Sequence, residues 1–309
     1  NCFFNVMSVT PLTLSRAVKP GLVLDVKASR RYRGSMKARL MNGAGNKFVL
    51  ADARAHAGFL GLSRNTVRAW AHELHFDQLL VLEHSDSADA FMRIWNADGD
   101  EVGACGNGTR AAGWFLMEES GQRAVSIGTA GGLLQAVRAG ALTISVDMGK
   151  PRLDWQDIPL ARDMDTVALN YVAEAGGIRI ERPGAVSMGN PHAVFFVKDV
   201  ETLPIARLGP EVEYDPLFPE RVNAGFAQIY DETHIRLRVW ERGAGITAAC
   251  GTGACAALVA AHRRGLADRS ASIMADGGEL HVEWRIADDH VILTGPVEDE
   301  GEVDLALKI

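Results

Sequence analysis

Two short cysteine motifs hold the side chains with the greatest chemical reactivity in this sequence. Cys105 begins Cys-Gly-Asn-Gly, Cys250 begins Cys-Gly-Thr-Gly, and an apolar, helix-forming stretch follows each motif. The first turn of a helix has backbone N–H groups without partners and a partial positive charge. A cysteine there is expected to have a lowered pKa, and a carboxylate can bind to the same N–H groups. Each motif therefore predicts a reactive sulfur beside a binding site for part of an acidic substrate.

The two motifs occupy corresponding places in an internal repeat. In each half, a strand ending near Trp95 or Trp240 leads through a polar loop to the cysteine, and a helix follows. The helices are predicted to stop at Gly121 and Gly265, which lie 16 and 15 positions after their cysteines. Two similar domains that face each other would bring both cysteines together. Such a pair suits the removal of a proton from one face of a carbon and the return of one to the other face, with the bound carboxylate taking up charge.

Other roles for these cysteines fit the pattern less well. A lone cysteine before glycine is usually a small buried residue in a turn, but the repeat places two in equivalent positions. A redox dithiol more often has the pattern C-x-x-C, and a zinc site needs a second nearby ligand in each loop, so no metal is predicted. Cys255 lies about 140° around the helix from Cys250 and is predicted to be a core residue.

The hydrophobic pattern predicts mainly antiparallel α+β elements to support the motifs. A hairpin is predicted around the turn at 42–46, and an amphipathic helix over 63–75 with Ser63 as its N-cap. Strands are predicted at 79–82, 91–95, 141–148 and 234–240. Alternation in the last two strands predicts that the following side chains face inward: Leu142, Ile144, Val146 and Met148, and then Ile235, Leu237 and Val239.

The composition predicts a soluble globular protein with two domains. The chain has 309 residues, of which 47% are hydrophobic and 23% are charged. A net charge of −7 without a basic stripe argues against a nucleic-acid partner. No apolar run reaches the roughly 18–20 residues that cross a bilayer. Four cysteines do not form a disulfide framework, and this favours a reducing cytoplasm.

The predicted domain limits follow from two changes in the sequence. Residues 1–35 contain six Lys or Arg against one acidic residue and are predicted to lie outside the fold. They are consistent with a targeting peptide, a start codon assigned too far upstream, or an expression tail. A Gly-Lys-Pro turn at 149–151 separates the halves. We therefore predict an N-terminal domain of 36–149 plus 296–309 and a C-terminal domain of 150–295.

The two motif segments resemble the signature segments of diaminopimelate epimerases. They read NADGDEVGACGNGTR at 96–110 and WERGAGITAACGTGACAA at 240–257. Further matches are MNGAGNKF at 41–48, FDQLL at 76–80, SMGNPHAVF at 187–195 and FPERVNAGF at 218–226. The resemblance runs from about residue 36 to the C-terminus. It implies two pseudo-symmetric domains, each a curled mixed or antiparallel sheet around a central helix, with the active site in the cleft between them.

The resemblance also implies an activity that needs no cofactor, in lysine and cell-wall precursor biosynthesis. An enzyme of this kind interconverts L,L- and meso-diaminopimelate, with Cys105 and Cys250 as the thiolate and thiol on opposite faces of one carbon. Which cysteine serves which stereoisomer stays open. The implied contacts to the α-carboxylate are the N–H groups of Gly106, Asn107, Gly251 and Thr252. The other implied binding residues are Asn46, Gln78, Asn96, Asn190 and Asn223, Glu241 for an ammonium group and Arg242 for the distal carboxylate, with His192 in support. Asn42 and Lys47 depart from the family pattern, which usually has His and Asp there.

Three other functions are compatible with parts of this pattern. Proline racemases and hydroxyproline epimerases also use two cysteines in this fold. A non-catalytic amino-acid-binding protein could use the same helix N-termini without exchanging a proton. A pyridoxal-dependent racemase has no support, because nothing marks a Schiff-base lysine or a phosphate site. The expected partner is a small molecule, and the sequence leaves the oligomeric state open, with a homodimer among the alternatives.

Overall fold

The computed structural model of the protein describes residues 33–55, 62–103 and 105–308. Residues 1–32 of the predicted leader lie outside the described residues. The helices are α1 (Arg64–Leu74), α2 (Gly106–Ser120), α3 (Ile205–Glu213) and α4 (Gly251–Arg263). Among the described residues, no helix has the length and apolar character needed to cross a membrane.

The strands of the first half precede and follow α1 and α2 along the chain. They are β1 (Arg33–Gly43), β2 (Asn46–Asp52), β3 (Gln78–Glu83), β4 (Ala90–Asn96), β5 (Glu101–Val102), β6 (Ala124–Thr129), β7 (Gly132–Arg138) and β8 (Thr143–Asp147). The strands of the second half are β9 (Val172–Ala175), β10 (Ile178–Glu181), β11 (Gly184–Ser187), β12 (Pro191–Phe196), β13 (Asn223–Asp231), β14 (His234–Glu241), β15 (Gly245–Thr247), β16 (Ser270–Ala275), β17 (Gly278–Trp284), β18 (Val291–Pro296) and β19 (Glu298–Lys308).

Strand pairing repeats in the same order in both halves. In the first half, β1–β2 is antiparallel, β2–β3 parallel, β3–β4 antiparallel and β4–β6 parallel, and β6–β7–β8 is an antiparallel meander. Strands β11 to β18 pair in the same sequence of directions. The halves are joined where β8 pairs with β18 and β19 returns to β1. The predicted α+β fold with two pseudo-symmetric halves is confirmed, while the predicted domain limits stay a prediction.

Each half wraps its mixed sheet around a helix that begins at a cysteine. Every residue of α4 from Gly251 to Ala261 is buried, and so is the start of α2 from Gly106 to Trp114. A helix that is apolar on all sides belongs in the interior rather than on the surface. Alanine and glycine dominate these stretches, so the sheets can approach closely, and the helix starts are fixed in position from every side.

The predicted local elements are largely confirmed. Ser63 caps α1 by accepting a hydrogen bond from the backbone of Thr66, and Gly121 and Gly265 follow α2 and α4 with φ of 70° and 67°. Cys255 is fully buried, as predicted. The inward-facing residues of β14, which are Ile235, Leu237 and Val239, are buried as well.

The predicted inward position of Leu142 is wrong. Its side chain is 49% exposed, and β8 begins only at Thr143. The backbone N–H groups of Ala139 and Gly140 both donate to the carbonyl of Thr143, which closes a turn. Leu142 lies inside that turn, so the alternation of the strand does not extend to it.

We predict that Gly113→Val destabilises the fold by overpacking α2 against β7. A Cβ at Gly113 would lie 2.6 Å from the Cβ of Ala136, which is too close for any real contact. Overpacking of this kind costs about 1–3 kcal/mol in the free energy of unfolding. Denaturant unfolding measures the change. Ala69→Val, at an exposed position of α1, is the control and should cost about 0.5 kcal/mol from helix propensity alone. Equal losses in both variants would contradict the packing argument.

Candidate active site

Both cysteines occupy the N-cap position of their helices in the same way. Cys105 and Cys250 have extended backbones and precede α2 and α4 directly. The Sγ of Cys105 accepts a hydrogen bond from the N–H of Gly108 at 3.2 Å, and that of Cys250 accepts one from Gly253 at 3.3 Å. Serine and aspartate usually make this bond at an N-cap. The repeat therefore places a sulfur atom at each helix start with the same orientation.

The two helix starts converge on one point. The carboxamide Nδ2 of Asn107, near the start of α2, donates to the carbonyl of Ala249 at 3.2 Å, just before the second cysteine. A Cβ on Gly251 would lie 3.0 Å from Asn107 Oδ1, and Cβ atoms on Gly106 and Gly251 would lie 3.0 Å and 2.9 Å from the same methyl group of Leu293. Glycine at both positions is what allows this approach.

Three predicted binding residues of the first half lie at one edge of its sheet. Asn46 begins β2, Gln78 begins β3 and Asn96 ends β4. Gln78 Nε2 donates to Asn96 Oδ1 at 2.9 Å, and Asn107 Nδ2 donates to Asn46 Oδ1 at 2.5 Å. Asn46 is thereby linked to the start of α2, and the two other side chains form a pair of their own.

In the second half, a chain of hydrogen bonds leads from a buried histidine to the second cysteine. His192 is fully buried, and its Nε2 lies 3.0 Å from Asn190 Oδ1. Asn190 Nδ2 donates to the hydroxyl of Thr252 at 3.2 Å, and that hydroxyl lies 3.5 Å from the Sγ of Cys250. The structure thus brings these four predicted residues together.

Asn223 fixes the backbone of the loop that contains Arg242. Its Oδ1 accepts a hydrogen bond from the N–H of Arg242 at 2.9 Å, and its Nδ2 donates to the carbonyl of Pro191 at 2.8 Å. The Arg242 side chain is exposed, and its guanidinium donates to the backbone carbonyl of Glu220 at 2.9 Å. The guanidinium therefore remains open to solvent at the rim of the site.

Glu241 is the carboxylate beside the second thiol. Its Oε1 accepts a hydrogen bond from the hydroxyl of Thr247 at 2.5 Å, and its charge adds to burial in raising the pKa of Cys250. Burial raises the pKa of Glu241. The carboxylate lies next to the sulfur, although the residue was expected from the sequence only as the group that receives an ammonium.

The binding positions are themselves duplicated by the fold. Phe48 pairs with Gln78 across β2 and β3, and His192 pairs with Asn223 across β12 and β13. The repeat therefore makes the following positions equivalent: Asn46 and Asn190, Gln78 and Asn223, Asn96 and Glu241, and Asn107 and Thr252. Aligning the two halves of the sequence would have revealed this correspondence.

Burial raises the pKa of both thiols, so the expected lowering is wrong. The pKa of Cys105 is raised to about 11, and that of Cys250 is raised well above its ordinary value. The N–H donors of the helix starts act in the opposite direction, but loss of water around the charged form outweighs them. Burial and the charge of Arg242 lower the pKa of His192 to about 3, so this imidazole is neutral at pH 7.

Sequence reasoning missed two residues that shape the site. Arg110 is fully buried in α2 and donates to Asn107 Oδ1 at 2.9 Å, and Thr247 orients Glu241. The position of Arg110 was a signal in the sequence, because it is the one charged residue in the apolar stretch from 105 to 117. Thr247 gave no comparable signal.

The diaminopimelate epimerase family model matches residues 39–153 and 184–299. The chain therefore belongs to the diaminopimelate epimerase family. The diaminopimelate epimerase of Phenylobacterium zucineum is 56% identical over 268 residues, which cover 85% of this chain and 96% of that protein. The diaminopimelate epimerase of Acidiphilium cryptum is 52% identical over 270 residues, which cover 86% of this chain and 96% of that protein. Membership of the family makes the protein an isomerase of the epimerase class.

Solved structures share the fold at much lower identity. A predicted epimerase from Pseudomonas aeruginosa superimposes with a TM-score of 0.65 at 19% identity, covering 87% of this chain and 99% of that one. A hydroxyproline epimerase from Agrobacterium vitis, with trans-4-hydroxy-L-proline bound, gives a TM-score of 0.63 at 18% identity, covering 90% and 94%. At these identities, the likeness shows the diaminopimelate epimerase fold alone.

The two departures from the family pattern lie in the first turn. Asn42 Oδ1 accepts a hydrogen bond from the N–H of Gly45 at 2.9 Å and so closes the turn before Asn46. Lys47 is exposed, and its backbone N–H donates to Asp77 at 2.8 Å. Both residues thus support the local turn that positions Asn46.

We predict that mild oxidation joins Cys105 to Cys250 and abolishes epimerase activity until a reductant is added. The two thiols lie at helix starts that converge, and each is free in the structure. Peptide mapping of the oxidised protein identifies the bond. Complete inactivation with both thiols still available to alkylation would contradict the proposed facing of the cysteines.

We also predict a steep pH dependence for alkylation of Cys105 by iodoacetamide. The thiolate is the reactive form. With a pKa of about 11, its fraction should rise about tenfold per pH unit between about pH 7 and pH 9. Rates are measured by mass spectrometry of the Cys105 peptide. The urea-unfolded protein is the control, and its rate should level off near the ordinary thiol pKa of about 8.5. An equally early plateau in the folded protein would contradict the effect of burial.

Proposed function

We propose that this protein interconverts L,L- and meso-diaminopimelate, with one of Cys105 and Cys250 removing the α-hydrogen and the other giving its own proton to the opposite face of the carbon. The observation that carries the proposal is the convergence of two cysteine-capped helix starts, bridged by Asn107 and Ala249. The names of the relatives at 56% and 52% identity support the choice of substrate.

The two sulfur atoms carry out both proton transfers. The thiolate of one cysteine forms an S–H bond as the α-carbon loses its hydrogen, and the electron pair remains on the carbon and spreads into the carboxylate. The thiol of the other cysteine then gives its proton to the opposite face of the same carbon, so that its S–H bond breaks and a new C–H bond forms. The carbon ends with inverted configuration, and the two cysteines have exchanged protonation states.

The helix starts supply the charge stabilisation that this step requires. We assign the N–H groups of Gly106, Asn107, Gly251 and Thr252 to the α-carboxylate. As the carbanion forms, negative charge grows on that carboxylate, and it does so at the positive ends of two helices. Because the site is buried, these dipoles act with little screening by water.

The remaining residues would hold the two ends of a long substrate. We assign Arg242 to the distal carboxylate, because its exposed guanidinium at the rim can form a forked pair of hydrogen bonds. Glu241 would bind an ammonium group from its position beside Cys250. The other polar groups of the substrate would bind to the side-chain amides of Asn46, Gln78, Asn96, Asn190 and Asn223. His192 is neutral, and we propose that it holds the Thr252 side chain in place through Asn190.

We also propose a setting for the reaction. The two catalytic thiols must stay reduced, which is the condition of the cytoplasm. The enzyme would act there in the synthesis of lysine and of cell-wall precursors. We propose that the protein forms a homodimer. One chain contains all the residues assigned to the site.

We predict that the protein incubated with L,L-diaminopimelate in heavy water introduces deuterium at the α-carbon and forms the meso isomer. Cys105→Ala and Cys250→Ala should each lower turnover at least about 100-fold, the typical loss when an acid or base is removed. Cys255→Ala is the matched control, because this cysteine is buried in α4, away from the helix start, and its loss should leave turnover intact. Proton NMR and chiral chromatography follow both events.

The same assay separates the rival functions. Proline and trans-4-hydroxyproline, tested beside diaminopimelate, should not be turned over. Turnover of either imino acid with none of diaminopimelate would show that the substrate is wrong. Binding of diaminopimelate without deuterium exchange would show a binding protein instead of an enzyme.

A further inference from the structure

A buried arginine lies behind one of the two half-sites. Arg110, in the second turn of α2, is fully buried. Its Nη1 donates to Asn107 Oδ1 at 2.9 Å, while its Nε and Nη2 have no hydrogen-bond partner in the structure. The ion pairs formed among residues 33–55, 62–103 and 105–308 include none to this guanidinium. An unpaired buried cation is costly, so its presence calls for a physical reason.

The surroundings of Arg110 are shaped around its guanidinium. A Cβ on Gly295, in β18, would lie 3.0 Å from Cζ and 3.1 Å from Nε of the arginine. A Cβ on Gly43, at the end of β1, would lie 3.5 Å from Nη2. Two strands from different halves of the protein thus leave room for this group by presenting bare backbone. An apolar side chain of similar volume would fill the same space without a buried charge.

The two halves of the repeat differ at the position of Arg110, and they differ there in charge. The fifth residue after Cys105 is Arg110, whereas the fifth residue after Cys250 is Cys255. The half-site of Cys105 therefore has a cation at a place where the half-site of Cys250 has a neutral thiol. The reverse holds for the carboxylate, because Glu241 takes the place that Asn96 holds in the first half.

The charged and titratable groups around the two thiols act unequally. From α2, Arg110 lowers the pKa of Cys105 and of Cys255. From β14, Glu241 raises the pKa of both Cys105 and Cys250, and its effect on Cys105 exceeds the lowering by Arg110. The charge of Cys105 raises the pKa of Cys250 further. The hydrogen bonds from Thr252 and Gly253 lower the pKa of Cys250, and Arg110 lowers that of Cys105. The cation of Arg110 is therefore what favours ionisation of Cys105 over that of Cys250.

We propose that Arg110 is a positioning residue that makes Cys105, and not Cys250, the first thiol to ionise, and that holds Asn107 in its bridge between the half-sites. The inference rests on the proposed epimerisation for its catalytic meaning. Burial keeps most of the free enzyme in the form with two thiols at neutral pH, and in the ionised fraction the thiolate is at Cys105 and the proton is on Cys250. A substrate whose α-hydrogen faces Cys105 loses it to that sulfur, and Cys250 returns its own proton to the opposite face. In that fraction, the buried cation of Arg110 offsets the negative charge of the thiolate.

Alkylation without substrate tests this inference independently of the proposed function. Arg110→Met removes the charge and keeps most of the volume, and Arg110→Lys keeps the charge but not the forked donors. At pH 8, we expect iodoacetamide to modify Cys105 about tenfold more slowly in Arg110→Met, as for a pKa raised by about one unit. The lysine variant should alkylate at nearly the rate of the unmodified protein, but its kcat should fall about tenfold because Asn107 loses its hydrogen bond. Arg68→Met, on the exposed face of α1, is the matched control and should change neither quantity.

Two results would overturn the inference. One is an unchanged rate of Cys105 alkylation in Arg110→Met, and the other is faster alkylation of Cys250 than of Cys105 in the unmodified protein. Thermal unfolding checks each variant, and Arg110→Gln serves as a second neutral variant if Arg110→Met fails to fold. If neither neutral variant folds, the lysine variant decides, because slow alkylation of Cys105 despite a retained charge would also overturn it.

Discussion

The contact between the two helix starts is the interaction on which the site depends. The Asn107 carboxamide reaches across to the carbonyl of Ala249, and glycines on both sides allow the backbones to approach one methyl group of Leu293. The rest of the fold holds this contact in place. The pairing of β8 with β18 joins the two sheets, and each sheet surrounds its helix, whose first residues are all buried.

Burial and the helix dipole act against each other at the two sulfur atoms, and burial prevails in the structure. This result has a chemical advantage. The α-hydrogen of an amino acid is a very weak acid, and a thiolate with a raised pKa is a stronger base toward it than an ordinary thiolate. The disadvantage is that little thiolate exists at neutral pH. A charge asymmetry between the half-sites reduces that disadvantage, since it concentrates ionisation on one sulfur instead of dividing it between two.

Much of this architecture could be predicted from the sequence, because it follows from local patterns. The alternation in β14, the glycines after α2 and α4 and the repeated cysteine motif are each read within a few residues. The failures involve properties that local patterns do not contain. Leu142 fits the alternation of β8, but it lies in a hydrogen-bonded turn before that strand begins. The pKa of Cys105 depends on how much water the whole fold removes, and the role of Arg110 depends on a strand that follows it by more than 180 residues.

The pairing of β19 with β1 has a consequence for biosynthesis on the ribosome. Both strands are 11 residues long and lie antiparallel along almost their whole length, so the first strand of the described chain is completed by the last. During translation, one edge of β1 therefore has no partner until the ribosome has made β19, more than 250 residues later. An unpaired strand edge is a template for pairing with other chains. The nascent protein is thus most vulnerable to misassociation in the interval before β19 leaves the exit tunnel.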